Sequence, residues 1–109
     1  MSLYVLSHLW EVNDVEDGIS VRLTHRDMDA QTLSILADEL SELALESGRP
    51  TLYLDFGEVH LLTSVVIGKL FAVERRLREA GGRLVLCNLD PIRREVFQAM
   101  SWPTDGVRE

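Results

Sequence analysis

The chain has 109 residues, of which 46% are hydrophobic and 27% are charged, and its formal net charge is −7. This length predicts one domain, with a core large enough to need no metal or disulfide for stability. The single cysteine, Cys87, excludes an internal disulfide, and the negative charge argues against binding to nucleic-acid phosphates.

The apolar segments give no reason to expect a membrane protein. Every apolar run is far shorter than the ~18 residues of a membrane-spanning helix, and the opening MSLYVLSHLW lacks the basic region of a signal peptide. A cytoplasmic location without membrane contact is therefore expected. Residues 1–60 carry 12 acidic and 3 basic side chains, whereas residues 61–109 carry 6 and 8, so the two halves differ in charge.

The first segments predict two antiparallel strands. Apolar and polar residues nearly alternate in YVLSHLWEV and alternate in ISVRLT. The intervening NDVEDG is typical of a turn, in which Gly18 is free to adopt a positive φ.

A helix is predicted next. Asp29 is a suitable N-cap, and apolar residues recur at helical spacing from Leu33 to Ala44. Gly48 and Pro50 end this helix, because glycine suits the position after a C-cap and proline cannot continue a helix.

The second half alternates strands with helices. TLYLDF and RLVLCN are short and apolar enough for buried strands, and a helix between them runs to about Ala80. Asp90 as N-cap and Pro91 at the first position predict a last helix, whose inward stripe would be Ile92, Val96 and Met100. The tail, residues 101–109, is expected to hold little structure.

The predicted order is ββαβαβα over residues 1–109, which indicates a single α/β domain. Alternating strands and helices require parallel pairing through right-handed crossovers. The sheet is therefore mixed, with an antiparallel pair at its start.

Ser64 allows two interpretations. Its oxygen could cap the helix that follows, a role that the adjacent Thr63 could equally fill, so the boundary is uncertain by one residue. Alternatively Ser64 is a phosphorylation site, with Thr63 as second choice, since the positive end of a helix dipole tolerates an added phosphate.

Apolar residues beside Ser64 suggest a docking surface. Val65 follows the serine, and Ile67 and Phe71 lie off the inward stripe, so some of them should be exposed. A partner docking there would have to desolvate a phosphate on Ser64, which would make phosphorylation an off-switch. The alternative is that Ile67 and Phe71 cover neighbouring elements.

No catalytic or metal-binding motif accompanies the serine, so we predict neither an enzyme nor a cofactor. LLTSVV lacks the glycines of a nucleophile elbow, and neither HxxxH nor CxxC occurs. His60 is expected to be solvated, and Asp55 is expected to accept hydrogen bonds from backbone N–H groups of the loop after its strand.

The residues from Thr51 to Met100 resemble the core of the STAS domain, named for sulphate transporters and anti-sigma-factor antagonists. The family pattern is a strand ending in Asp, a loop to D-S-x-G-L-G, an amphipathic helix, GG, a strand and a helix beginning near a proline. The matching positions are Asp55, Ser64, Gly68, Gly81, Gly82 and Pro91. The sequence departs from this pattern at Thr63, where Asp is usual, and at Val66, where Gly is usual.

The resemblance implies a STAS-like fold with helices packed mainly on one face, and a regulatory binding module. Its partner would be an anti-sigma factor or serine kinase of the histidine-kinase-like ATPase type, and a PP2C-type phosphatase would reverse phosphorylation of Ser64. The implied partner-binding residues are Asp27, Asp29, Thr63, Ser64, Val65, Ile67 and Gly68. Two alternatives stay open: a scaffold that binds without phosphorylation, and a small-molecule sensor or minor hydrolase using a pocket beside Asp27, Asp55 and Ser64.

Overall fold

A five-stranded sheet forms one layer of the structure and three helices form the other. The computed structural model describes residues 10–24, 29–48, 50–59 and 63–108. The elements are β1 (Trp10–Val15), β2 (Gly18–Leu23), α1 (Ala30–Glu46), β3 (Thr51–Asp55), α2 (Ser64–Glu79), β4 (Arg83–Cys87), α3 (Pro91–Ala99), a 3₁₀ turn (Thr104–Gly106) and β5 (Val107–Arg108). The predicted order ββαβαβα is confirmed, and β5 is added to it.

The sheet is mixed, as the sequence predicts. Its strands lie in the order β1-β2-β3-β4-β5, with β1 antiparallel to β2 and the remaining neighbours parallel. Each parallel connection advances by one strand in the same direction, so right-handed crossovers place all three helices on the same face.

The core lies between this face and the helices. In β2, β3 and β4 the residues that point toward the helices are at most 3% exposed; they include Ile19, Val21, Leu52, Leu54, Leu84 and Leu86. The alternate positions point to the other face, where Ser20, Tyr53 and Cys87 are only partly buried while Thr51 and Val85 are buried.

Local chemistry sets the ends of the helices. Asp29 caps α1 by accepting the Thr32 backbone N–H at 2.7 Å, and Asp90 caps α3 by accepting that of Arg93 at 2.9 Å. Gly48 follows α1 with a φ of 74°. The sequence-based predictions for these three residues are confirmed.

The turn between β1 and β2 is shorter than predicted. Strand β1 continues to Val15, so the turn consists of Glu16 and Asp17 alone. An edge strand tolerates exposed polar residues, and for this reason the polar sequence before the turn did not mark its start. The part of the predicted first strand before Trp10 lies outside the described residues.

Gly18 is needed for close packing and not for the turn. A Cβ atom at this position would lie 1.8 Å from the Thr51 carbonyl oxygen of the neighbouring strand β3. Among the described glycines, only Gly48 and Gly81 have a positive φ. The expected positive φ at Gly18 is therefore wrong, and the glycine instead lets two backbones approach.

The predicted inward face of α3 is also wrong. Ile92, Val96 and Met100 are 76%, 41% and 49% exposed, whereas Phe97 is fully buried. Phe97 packs edge-on against Trp102, with ring centroids 5.3 Å apart. The aromatic pair, and not the aliphatic stripe, orients the helix.

The tail is ordered through residue 108. Trp102 is 4% exposed, and its Nε1–H donates to the Gly106 carbonyl oxygen at 2.8 Å. Val107 then pairs with Leu86 of β4, which adds β5 to the sheet. The expectation of little structure did not take into account that a buried tryptophan holds this segment against the core.

Candidate functional site

The predicted site lies at the edge of the sheet where the parallel strands end. Strands β3 and β4 end side by side, and α2 and α3 begin from the same edge. Arg93 in the first turn of α3 donates a hydrogen bond from Nη1 to the Val59 carbonyl oxygen, in the loop that precedes α2. The starts of the two helices are thereby linked.

Thr63 and Ser64 have different roles at the start of α2. Thr63 is the N-cap, with an extended backbone (φ −81°, ψ 163°), and its hydroxyl oxygen accepts the Val66 backbone N–H at 3.3 Å. Ser64 is the first helical residue, and its side chain is exposed. The capping role that the sequence allowed for either residue thus belongs to Thr63.

The residues after Ser64 divide between surface and core. Val65 is 68% exposed, and Gly68, one turn after Ser64, is also exposed. The expectation that some of the apolar residues here are exposed is confirmed by Val65, whereas Ile67 is only 8% exposed; a role for Ile67 in partner binding stays a prediction. Ile67 and the half-buried Phe71 cover neighbouring elements, which was the alternative interpretation.

The acidic residues expected near Ser64 are described only in part. Asp27 lies outside the described residues, as do His8, His25 and His60. Asp29 is exposed, and hydrogen bonding to the Thr32 N–H holds the pKa of its carboxyl below the usual value. Its visible role is to cap α1; a role in partner binding remains a prediction.

Asp55 has the structural role that the sequence indicated. Its carboxylate accepts the backbone N–H of Gly57 at 2.8 Å, which orders the loop after β3. The side chain also lines a cavity of about 410 Å³ together with Ser20, Tyr53 and Arg108 on the sheet face opposite the helices. Ser64 does not line this cavity, so the pocket proposed beside Asp55 and Ser64 is not formed by these two residues.

Two further groups that line this cavity, the Tyr53 hydroxyl and the Cys87 thiol, have perturbed pKa values. The Tyr53 hydroxyl donates to the Asp17 carboxylate at 2.9 Å, and burial, followed by this hydrogen bond, raises the pKa of Tyr53. Burial also raises the pKa of the Cys87 thiol, which is not the environment of an activated nucleophile.

Neither a metal site nor a membrane span is found in the part of the chain that the structure describes. Within it, no three His, Cys, Asp or Glu residues are grouped as metal ligands would be. None of its helices combines the length and the apolar character that crossing a bilayer requires.

Sequence reasoning missed one feature beside the site, the aliphatic stripe of α3. Ile92, Val96 and Met100 were assigned to the core, but they are exposed on a helix that starts at the same edge as α2. Trp102 was the available signal: a tryptophan just after an amphipathic helix needs a partner, and Phe97 is within reach of it.

Comparison with known proteins agrees with this geometry. A family model described as the STAS domain matches residues 12–102. BtrV of Bordetella bronchiseptica, a candidate anti-sigma factor antagonist, is 29% identical over 85 residues, which make up 78% of this chain and 72% of BtrV.

Solved structures share the fold over nearly the whole chain. The phosphorylated form of SpoIIAA, a Bacillus cell fate determinant, superposes with a TM-score of 0.69 at 20% identity, covering 92% of this chain and 90% of that one. A candidate anti-sigma factor antagonist from Thermotoga maritima gives a TM-score of 0.73 at 14% identity, covering 94% and 87%.

Proposed function

Because the chain belongs to the STAS domain family and has the fold of anti-sigma factor antagonists, we propose that it is a protein-interaction switch controlled by phosphorylation of Ser64. One observation carries this proposal. Ser64 is exposed at the first position of α2, while the neighbouring Thr63 performs the capping that would otherwise occupy a serine there.

The start of α2 tolerates a phosphate. The unpaired N–H groups and the dipole of a helix N-terminus favour a negative charge, and a phosphoserine carries about −1.5 to −2 charges at neutral pH. Because Thr63 and not Ser64 provides the cap, modification of Ser64 leaves the hydrogen bond to Val66 in place. The fold therefore does not have to change when the charge is added.

One departure from the family pattern, at the residue before Ser64, is compatible with the observed N-cap of α2. The family usually has Asp where this chain has Thr63. Asp and Thr are both favourable N-caps, so the replacement preserves the start of the helix. It also removes a negative charge next to Ser64, so an added phosphate meets no carboxylate at position 63.

The exposed surface explains how the phosphate would act on a partner. Val65 is 68% exposed and Gly68 presents no side chain, so a protein docking here covers apolar and backbone atoms. Burying a phosphate under such an interface without a compensating cation is costly. Phosphorylation is thus expected to release the partner.

The proposed partner is an anti-sigma factor that is also a serine kinase of the histidine-kinase-like ATPase type. The Ser64 Oγ attacks the γ-phosphorus of ATP, the bond between that phosphorus and the ADP oxygen breaks, and the hydroxyl proton passes to a base of the kinase. A PP2C-type phosphatase restores the hydroxyl by adding water to the phosphorus and releasing inorganic phosphate. The free form sequesters the kinase, and the phosphorylated form does not.

The test is incubation with ATP and the proposed partner kinase, followed by intact-mass measurement. We expect one phosphoryl group on the wild type and on Thr63→Ser, and none on Ser64→Ala. Binding of Ser64→Asp to the kinase should be much weaker than that of the wild type. A Ser64→Asp variant that binds normally would instead identify a scaffold that is insensitive to charge, and phosphate retained on Ser64→Ala would assign the site elsewhere.

A further inference from the structure

Two opposite charges that do not pair lie on the sheet face opposite the helices. Asp55 of β3, Cys87 of β4 and Arg108 of β5 are paired in register, so their side chains share this face, and all three line the cavity of about 410 Å³. Asp55 and Arg108 are two strand spacings apart, or about 10 Å between Cα atoms. Neither forms an ion pair with a described residue.

The Arg108 guanidinium is held in place by contacts that leave its N–H groups free. Its central carbon lies 5.4 Å from the centroid of the Tyr53 ring on β3, so the side chain crosses β4 toward the cavity. The Tyr53 hydroxyl donates to Asp17 at 2.9 Å, and the Asp17 carboxylate lies 4.0 Å from Arg83. A guanidinium over a ring keeps its five N–H donors available to a ligand.

The Asp55 carboxylate is held in place at the other end of the row. One of its oxygens accepts the Gly57 backbone N–H at 2.8 Å, and the other has no hydrogen-bond donor among the described residues. Burial raises the pKa of the Cys87 thiol, so the position between the two charges is neutral. The cavity therefore offers a free carboxylate oxygen and a free guanidinium, separated by an uncharged group.

The charges of the cavity distinguish what could bind in it. Its charged lining residues are Glu16, Asp17, Asp55 and Arg108. The three carboxylates disfavour a ligand that is only an anion, and the guanidinium disfavours one that is only a cation. A zwitterion satisfies both signs of charge.

An α-amino acid also has a suitable size. Its nitrogen and its carboxyl carbon are about 2.5 Å apart, and with a charge-assisted hydrogen bond of about 2.8 Å at each end it spans about 8 Å. This length is comparable with the separation of Asp55 and Arg108. The cavity volume also falls within the range of about 300–1,000 Å³ that is usual for small-molecule sites.

We propose that this cavity binds a free α-amino acid, whose ammonium group donates to the Asp55 carboxylate and whose carboxylate accepts from the Arg108 guanidinium. Ser64 does not line the cavity, so the inference goes beyond the proposed function and does not depend on it. The domain would then respond to a small molecule as well as to phosphorylation.

The experiment screens the common α-amino acids, each at millimolar concentration, by thermal unfolding. A ligand that binds only the folded chain raises the unfolding midpoint, and calorimetric titration then measures its affinity. We expect at least one amino acid to bind with one-to-one stoichiometry. Its analogue without the amino group and its analogue without the carboxyl group should each bind about tenfold more weakly or worse, since each leaves one charge of the cavity unpaired.

Two variants assign the contacts. Arg108→Gln should lower the affinity for the amino acid about tenfold or more and leave that for the carboxyl-free amine nearly unchanged. Asp55→Asn, which keeps an oxygen for the Gly57 N–H, should lower it similarly and leave binding of the amino-free acid nearly unchanged. Arg22→Gln is the control: Arg22 lies on the same sheet face and pairs with Glu11 at 2.9 Å, but it does not line the cavity, so the variant should bind like the wild type.

Several results would overturn the proposal. These are an unfolding midpoint that no amino acid raises, and binding that survives both Arg108→Gln and Asp55→Asn. An amine or a carboxylic acid that binds as tightly as the amino acid would show a site for simple cations or anions and would also contradict it. Arg108 is exposed, so Arg108→Gln provides the test even if Asp55→Asn does not fold. Ser64→Ala should bind the amino acid normally, which separates failure here from failure of the proposed function.

Discussion

The Thr63 hydroxyl accepts the backbone N–H of Val66 at 3.3 Å, and this contact caps α2 one residue before the exposed Ser64. Two adjacent hydroxyls therefore have separate roles, one in stability and one available to a partner. Their substitutions should have separate effects.

Thr63→Ala should destabilise the protein by about 1 kcal/mol, because it leaves an N–H group of the first turn without its acceptor. Ser64→Ala should change the free energy of unfolding by less than about 0.5 kcal/mol, as is usual for an exposed side chain. Urea denaturation monitored by circular dichroism measures both. Thr63→Ser keeps the oxygen and is the control; equal losses from Thr63→Ala and Ser64→Ala would mean that both hydroxyls support the helix.

Gly68→Ala should make the isolated protein more stable by roughly 0.5–1 kcal/mol. The position has ordinary helical geometry and open space for a Cβ atom, so alanine gains its full helix propensity there. Thermal and urea unfolding would show the gain.

The matched control is Gly18→Ala, where the Cβ atom would collide with the Thr51 carbonyl at 1.8 Å and the same substitution must destabilise. If Gly68→Ala also weakens kinase binding, stability and function oppose each other at this position. A destabilised Gly68→Ala would mean that the helix needs its glycine.

The order of elements was predictable because each depends on local pattern. Asp29 and Asp90 each precede a helix and cap it through a backbone N–H three residues later, which sequence spacing alone reveals. The parallel pairing of β3 and β4 then follows from chain connectivity.

Burial on α3 was not predictable in this way. Val96 and Phe97 are adjacent, and a helix of nine residues offers an apolar stripe through either one. Phe97 is the buried residue because its ring packs against Trp102. Trp102 itself lies in a segment that shows neither helical nor strand periodicity. Likewise, the sequence could not decide between Thr63 and Ser64 as the N-cap, because both carry a hydroxyl. The backbone angles decide it, since Thr63 is extended and Ser64 is helical.

Trp102 should be among the side chains that contribute most to stability. Trp102→Ala should cost about 3–5 kcal/mol, since the side chain is almost fully buried against Phe71 and Phe97. Trp102→Phe keeps an aromatic ring but leaves the buried Gly106 carbonyl without the Nε1–H donor, at a cost of about 1–3 kcal/mol.

Urea denaturation again provides the measurement, with Trp10→Phe as the control. Trp10 is also buried, at 6% exposure, and is the other tryptophan of the chain. Trp102→Phe as stable as the wild type would show that the contact with Gly106 does not hold the tail in place.

Stability in acid should depend on Asp90. Its carboxylate accepts the Arg93 backbone N–H at 2.9 Å and the Arg93 Nε–H at 2.6 Å, and these bonds hold the pKa of Asp90 below its ordinary value of 3.8. Because the folded pKa is lowered, the ionised carboxylate stabilises the fold fully above the unfolded pKa. That contribution is lost as the pH falls through the folded pKa.

Asp90→Asn isolates this contribution, since asparagine is an equally good N-cap but does not ionise. The variant should be less stable than the wild type near neutral pH, and the difference should shrink below about pH 4 and vanish in stronger acid. Urea midpoints across this pH range test the sign. Glu95→Gln is the control, because it removes a carboxylate of the same helix for which no hydrogen bond is found within the described structure. This variant should keep the wild-type dependence of stability on pH. A difference in stability between Asp90→Asn and the wild type that does not change with pH would mean that the cap acts through its geometry and not through its charge.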